Sequence, residues 1–423
     1  MDEQNRQQDE SGTNETPEYS FLQEVIKDEV GNPKKRRRMI QRMVGLGFLI
    51  GLAASFIFSV CKPWVEDKLA GNPGEVTIPR DEKSISAKDK DALSKSENND
   101  KKKDNYSKSV KSLNEVAKKG QKSVVALMLS DETGSGNVST LAGKQFSGVL
   151  IADNGRELLI LGPRVEEDVQ NLQVTFCDGK KYNAVEKKSD ANLGLAIYAV
   201  DESQLKKSTE KSYRLAPLGS SYEAKKGDTT VLLGKLFGQG NAVGYGVLKS
   251  CSKTVNRADG IYSILSTEIA GFTGGSGVML NRNGEVLGII CDAAGEDKNN
   301  ELMHAYGISD IKETMELLSN GEDVPYVGLY ATDVSKSMAK ERKIPRGIYV
   351  DKVDADSPAM HAGIQSGDVI IAIGGKDVES FEDYHTILMK KSDGKRLLVK
   401  GYRRGAKDKY VAVHFRVTVG SHP

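Results

Sequence analysis

The chain has 423 residues, and its 60 lysines and arginines are nearly cancelled by 59 aspartates and glutamates, a formal net charge of +1. That balance gives no global positive field for nucleic acid, and the length allows two ordinary folded domains plus segments that need not fold. Glycine is plentiful at 43 residues and tryptophan occurs once, which suits a turn-rich β protein better than a helical bundle. The four cysteines, at 61, 177, 251 and 291, lie too far apart for a CxxC metal set, so neither a metal nor a cofactor is expected. They read as buried thiols, with one bridge among Cys177, Cys251 and Cys291 left open.

Residues 1–38 are polar and rich in Gln, Glu and Asn, with too little apolar surface to offset the entropy of folding, and end in the basic run "KKRRR" at 34–38. Next comes "MVGLGFLIGLAASFIFSVC", nineteen uncharged residues at 43–61, which at about 1.5 Å per residue can cross the hydrocarbon layer. We therefore expect a single transmembrane anchor over 39–64, closed by Trp64 at the interface. The basic cluster before it predicts a cytoplasmic tail and extracytoplasmic C-terminal domains, at the cell membrane. Within the span, Gly47 and Gly51 form a GxxxG pair that would let two spans approach. Residues 65–109 are mixed charge and serine with almost no apolar periodicity, a pattern expected of a disordered, solvated linker.

From residue 110 the pattern changes to short aliphatic and β-branched runs cut by Gly, Asn and Asp: "FSGVLIAD", "ELLILG", "LQVTF", "LGLAIYAV", "TTVLLG", "YSILSTEI" and "EVLGIICD". Many short strands with turn signals between them predict an all-β barrel or sandwich over 110–322. A helix at 309–321 closes it, with Ser309 able to cap, Glu313 near the capping-box position and Gly321 ending it. A second unit, 323–420, holds a strand, a Ser-Pro turn into a short helix, a Gly-Asp turn, another strand, a hairpin and the amphipathic helix "SFEDYHTILMKK".

"VDADSPAMHAGIQSGDVIIAIGGKDV" resembles the middle of a PDZ domain of the kind carried by bacterial HtrA (Deg) proteins, and "FSGVLIADNGRELLIL" and "STEIAGFTGGSGVMLNRNGEVLGII" resemble strands of the HtrA trypsin-like domain. The resemblance covers roughly 110–420. It implies a bacterial protein, mainly β in fold: a trypsin-like double β-barrel followed by an α+β PDZ domain. It also implies where the family's catalytic groups would stand. Against the family's G-N-S-G-G-P motif, "TGGSG" puts Ser276 in the nucleophile slot. The histidine of T-N-x-H-V falls on Arg164, and the aspartate of D-L-A-V on Gly194.

A serine hydroxyl is a poor nucleophile without a neighbouring base, and a guanidinium stays protonated at physiological pH. None of the five histidines precedes the serine motif, and His304 alone lies in the barrel region. The reading is therefore a domain that keeps the fold and has lost the triad. "TGGSG" is then either a tight turn or a vestigial oxyanion-hole pair, the backbone N–H groups of Gly274 and Ser276. Arg164 reads as a surface residue able to pair with Glu166, Glu167 or Asp168.

In the PDZ unit the resemblance implies a carboxylate-receiving loop at Tyr326, Val327, Gly328 and Leu329, with Ile387 or Leu388 on the opposite groove wall. The expected partners are peptides or unfolded protein C-termini, with the groove's filling by the protein's own residues as the alternative. The expected role is a scaffold, sensor or quality-control binder. The rival is an active serine endopeptidase using Ser276 with an unorthodox base such as a buried lysine. The resemblance also allows a homo-oligomer, or a mixed oligomer with an active paralogue.

Overall fold

The computed structural model describes residues 73–82, 99–129, 145–165, 172–238, 240–271, 274–294, 302–405 and 409–422, with backbone alone at 99–109. All fall in one unit, Pro73–Pro423. The expected anchor, its GxxxG pair, the basic cluster and Cys61 lie outside the described residues. Among the described residues no helix is long and apolar enough to cross a membrane.

Two closed six-stranded barrels follow one another. The first comprises β1 (Val124–Leu129), β2 (Gln145–Asp153), β3 (Glu157–Pro163), β4 (Leu172–Thr175), β5 (Lys181–Asp190) and β6 (Leu195–Asp201), closing in the order β1-β2-β3-β6-β5-β4. After the one-turn helix α2 (Lys207–Glu210) the second repeats that order with β7 (Thr229–Lys235), β8 (Ala242–Arg257), β9 (Gly260–Ala270), β10 (Ser276–Leu280), β11 (Val286–Ile290) and β12 (Leu302–Gly307).

The unbroken apolar runs in the sequence follow from two cores meeting at the same strands. In β3, Leu158 and Ile160 point into the first barrel, while Leu159 and Leu161 point into a core shared between the barrels. In β7 and β10, Leu232 and Met279 fill the second barrel, while Val231, Leu233, Val278 and Leu280 join the shared core. Successive side chains leave opposite faces of a strand, so a strand apolar on both faces is one that is buried on both. Each such side chain contributes about 2 kcal/mol.

Two helices flank the barrels. The first, α1 (Asn99–Gly120), covers part of the region expected to be a solvated linker, and its Val116 and Ala117 are buried in the shared core. The second is α3 (Ile308–Ser319), which ends at Gly321 with φ 76°, as expected. Its start differs from expectation: Gly307 occupies the N-cap without a side-chain bond, and Ser309 lies inside the helix. The Ser309 hydroxyl accepts from Ser221 N–H and donates to Asp81, and Glu313 pairs with Arg80 at 2.7 Å instead of closing a capping box.

Those partners belong to residues 73–82, an extended segment in the expected linker that is strapped along α3. Ile78 is buried, Asn320 exchanges bonds with both backbone groups of Val76, and Ile78 N–H donates to Glu316. Asp81 pairs with the buried Lys312 at 2.8 Å. Two apolar residues and complementary charges suffice to dock ten residues that composition marks as polar.

The last unit is a small α+β fold. Its main sheet runs β14 (Leu329–Asp333), β15 (Ile348–Val353), β16 (Val369–Ile373), β18 (Arg396–Arg404), β19 (Tyr410–Thr418), with β17 (Lys376–Asp377) beside β16. A second pairing joins β13 (Pro325–Tyr326) to β20 (Gly420–Ser421). Three helices, α4 (Lys336–Arg342), α5 (Pro358–His361) and α6 (Phe381–Leu388), cover the sheet. The Ser-Pro turn holds, with Ser357 capping α5 and Pro358 at its first position; the structure also forms a capping box between Ser380 and Asp383 on α6. Cys177 is exposed, Cys251 half-buried and Cys291 buried, and all three are free thiols.

Candidate functional site

Arg164 and Gly194 are brought together, Arg164 N–H donating to the Gly194 carbonyl at 2.8 Å where β3 leaves the barrel beside β6. Gly194 sits at φ 65°, and a β-carbon there would stand 2.9 Å from Cβ of Ala293. The position therefore holds no carboxylate and has no room for one. Nearby Asp190 is buried, which raises its pKa, while N–H groups of Asn192 and Leu193 and the charge of Arg164 oppose that shift. Glu166, Glu167 and Asp168, the expected partners of Arg164, lie outside the described residues.

Ser276 is the first residue of β10 and is 1% exposed. Its hydroxyl accepts from Ser147 N–H of β2 at 2.9 Å, so it is tied to the opposite barrel. The adjacent strands lie unusually close. Gly277 and Gly234 face each other across β10 and β7 at φ 149° and 140°, and a β-carbon on either would collide with backbone of the other strand. Gly275, the residue before the strand, has no nucleophilic atom. Gly274 directs its N–H to both carboxylate oxygens of Asp292 at 2.8 Å, so one half of the expected oxyanion pair already has an anion. Ser276 itself is paired in the β10–β7 ladder opposite Lys235. Lys235 is buried, which lowers its pKa, and its Nζ donates to the Gln145 carbonyl at 2.7 Å. His304 is held by Ser266 at 2.9 Å on β12 and β9, with its pKa lowered by burial.

In the PDZ-like unit, Val327, Gly328 and Leu329 present three successive N–H groups. Gly328 has φ 89°, and a β-carbon there would meet Ser357 at 2.4 Å, so only glycine permits this turn. All three N–H groups are taken by one side chain: Asp259 accepts from Val327 and Gly328 at 2.7 Å and from Leu329 at 3.0 Å. Asp259 is the second residue of the two-residue turn between β8 and β9. Tyr384 Oη donates to the same carboxylate at 2.7 Å, and His385 Nδ1 donates to the Asp259 carbonyl at 2.8 Å. From α6, Tyr384 and His385 bond the Asp259 turn, and Tyr384, Ile387 and Leu388 share one buried cluster with Val327 and Leu329 of the loop. Tyr326 Oη donates to Asp354 at 3.2 Å and lies beside the loop.

Residues 146–289 match the trypsin-like peptidase domain family, and residues 349–400 match the PDZ domain family. In that content and order of domains the chain is similar to proteins of the HtrA/Deg type. Over 277 residues it is 30% identical to "Serine protease Do-like HtrB" of Bacillus subtilis (strain 168), covering 61% of this chain and 59% of that protein. Over 242 residues it is 28% identical to "Periplasmic serine endoprotease DegP" of Escherichia coli (strain K12), covering 56% and 49%. The chain thus spans about half to three-fifths of the length of these relatives. Among solved structures, "HtrA-type protease AlgW with tripeptide" aligns with a TM-score of 0.53 at 19% identity, covering 74% of this chain and 97% of that one, a likeness of fold.

The sequence singles out residues 326–329 but not Asp259, Tyr384 and His385, which the fold brings to that loop, nor Lys235 beside Ser276. Asp259 carried one usable signal, an Asp-Gly pair between two strand-like runs, which marks a hairpin tip. Nothing local tells what that tip touches. Lys235 became distinctive only when register set it opposite Ser276.

Proposed function

We propose that this protein is a membrane-anchored, extracytoplasmic HtrA-like binder of exposed or C-terminal peptide segments that leaves its ligands uncut. The observation that carries the reading is the state of Ser276: a buried hydroxyl accepting from a backbone N–H, with arginine and a glycine that tolerates no side chain in the other two slots. A hydroxyl needs a proton acceptor to attack an amide at useful speed, and Arg164 cannot serve as one. Asp292 on the Gly274 N–H also opposes a developing oxyanion there. The PDZ loop, three convergent N–H groups around Gly328 on a sheet edge, is suited to a terminal carboxylate. Anchoring rests on the uncharged run 43–61 behind its basic cluster.

The test is casein degradation by the full-length chain beside Ser276→Ala, with a fluorophosphonate probe on both. Equal background rates and no Ser276-dependent label are expected. One observation favours the rival endopeptidase: Lys235, buried, with lowered pKa and directly across the ladder from Ser276. Labelling lost in both Ser276→Ala and Lys235→Met would establish that rival. Recovery of the chain in the membrane fraction, with protease accessibility from the outer face alone, tests the anchor and its orientation.

A further inference from the structure

We infer that Asp259 is a built-in occupant of the PDZ carboxylate site, so that a peptide terminus and the β8–β9 turn compete for the same three N–H groups. The inference rests on the reading of that loop as a peptide site and names how the site is regulated.

The mimicry extends past the carboxylate. A peptide added along a sheet edge gives its carboxylate to the loop and its last main-chain N–H to the edge strand. Asp259 does both: its carboxylate takes Val327, Gly328 and Leu329, and its own N–H donates to the Leu329 carbonyl at 2.7 Å. Leu329 opens β14, an edge strand of the main PDZ sheet. Side-chain and main-chain groups of one residue thus reproduce the contacts of a chain terminus.

The occupant is also held from behind. Asn192, in the loop between β5 and β6, donates to the Ala258 carbonyl at 2.9 Å and accepts from Ala258 N–H at 3.2 Å. Asp259 adopts φ 61°, a conformation that aspartate tolerates better than most residues and that aims its side chain out of the turn. With Asp259 5% exposed and Val327 and Leu329 fully buried, a ligand has no access while the turn is docked. A tethered competitor acts at high effective concentration, and apparent affinity falls by the fraction of molecules in which the site is open. Ligand binding therefore requires the PDZ unit to leave the β8–β9 turn.

Asp259→Gly is the discriminating variant, because glycine accepts φ 61° and only the carboxylate is lost. Fluorescein-labelled decapeptides ending in Val, Leu or Phe, each also as its C-terminal amide, are titrated against the full-length wild type and variant. Amide hydrogen exchange of the 326–332 segment is measured on both. The expected result is at least tenfold tighter binding of free-acid peptides by Asp259→Gly, no gain for the amides, and faster exchange at 326–332. Equal affinity in wild type and variant overturns the competition and leaves the peptide-site reading standing. Absence of binding by either protein, with exchange accelerated, overturns the peptide-site reading and with it the competition. Unchanged exchange overturns the docked turn itself.

Discussion

Gly194 is the residue that most constrains this chain's chemistry. Its φ of 65° and the 2.9 Å approach to Ala293 mean that restoring an aspartate is a steric problem before it is a catalytic one. Gly194→Asp should lower stability by roughly 2 kcal/mol, because its β-carbon would be forced against Ala293, and Arg164→His with Gly194→Asp should show no casein degradation. The thiols separate cleanly: burial pushes the Cys291 pKa up to about 12, while Cys177 is exposed. Iodoacetamide should modify Cys177 in the folded chain and Cys291 only after denaturation, as mass spectrometry of digests would read. Burial, helped by a hydrogen bond and repulsion from Asp153, raises the Glu202 pKa from 4.5 to about 7. Between those values the folded state holds a proton that the unfolded state has released, so stability falls as pH rises through that window. Thermal melts from pH 4.5 to 7.5 should show that decline, and Glu202→Gln should flatten it.

At the scale of elements, the strap 73–82 and α1 show where composition misleads. Lys312 lies 5% exposed against Asp81, so Asp81→Ala strands a buried ammonium and should cost about 3 kcal/mol by chemical denaturation. If the strap were only a tether, that substitution would change nothing. Strands of both barrels and the helices α5 and α6 of the PDZ unit were legible because their signals are local: apolar runs, Ser-Pro, and the amphipathic spacing of "SFEDYHTILMKK". The strap was not, because its bonds to Asn320 and Lys312 join residues more than 200 positions apart. Helix α1 did carry a signal, Val110, Leu113, Val116 and Ala117 at helical spacing, diluted by the lysines around it. The candidate site divides the same way. Motif positions for Arg164, Gly194 and Ser276 could be read in sequence order, whereas the groups that bond Gly274 and Ser276, the Asp292 carboxylate and the Ser147 N–H, arrive through tertiary register.

For the whole molecule, the junction between the second barrel and the PDZ unit turns on one aspartate at the tip of a long ribbon. The β8 strand has 16 residues and β9 has 11, and their pairing shifts twice, near Ser250, before reaching Arg257 opposite Gly260. In a two-residue periodicity, a slip of one position turns every side chain to the other face. A chain that pairs these strands out of phase would aim Asp259 away from Gly328, and the loop would stand vacant. Seating of the final domain is in that sense an inspection of the preceding one. Only a second barrel zipped in correct phase supplies the plug that lets the C-terminal unit settle.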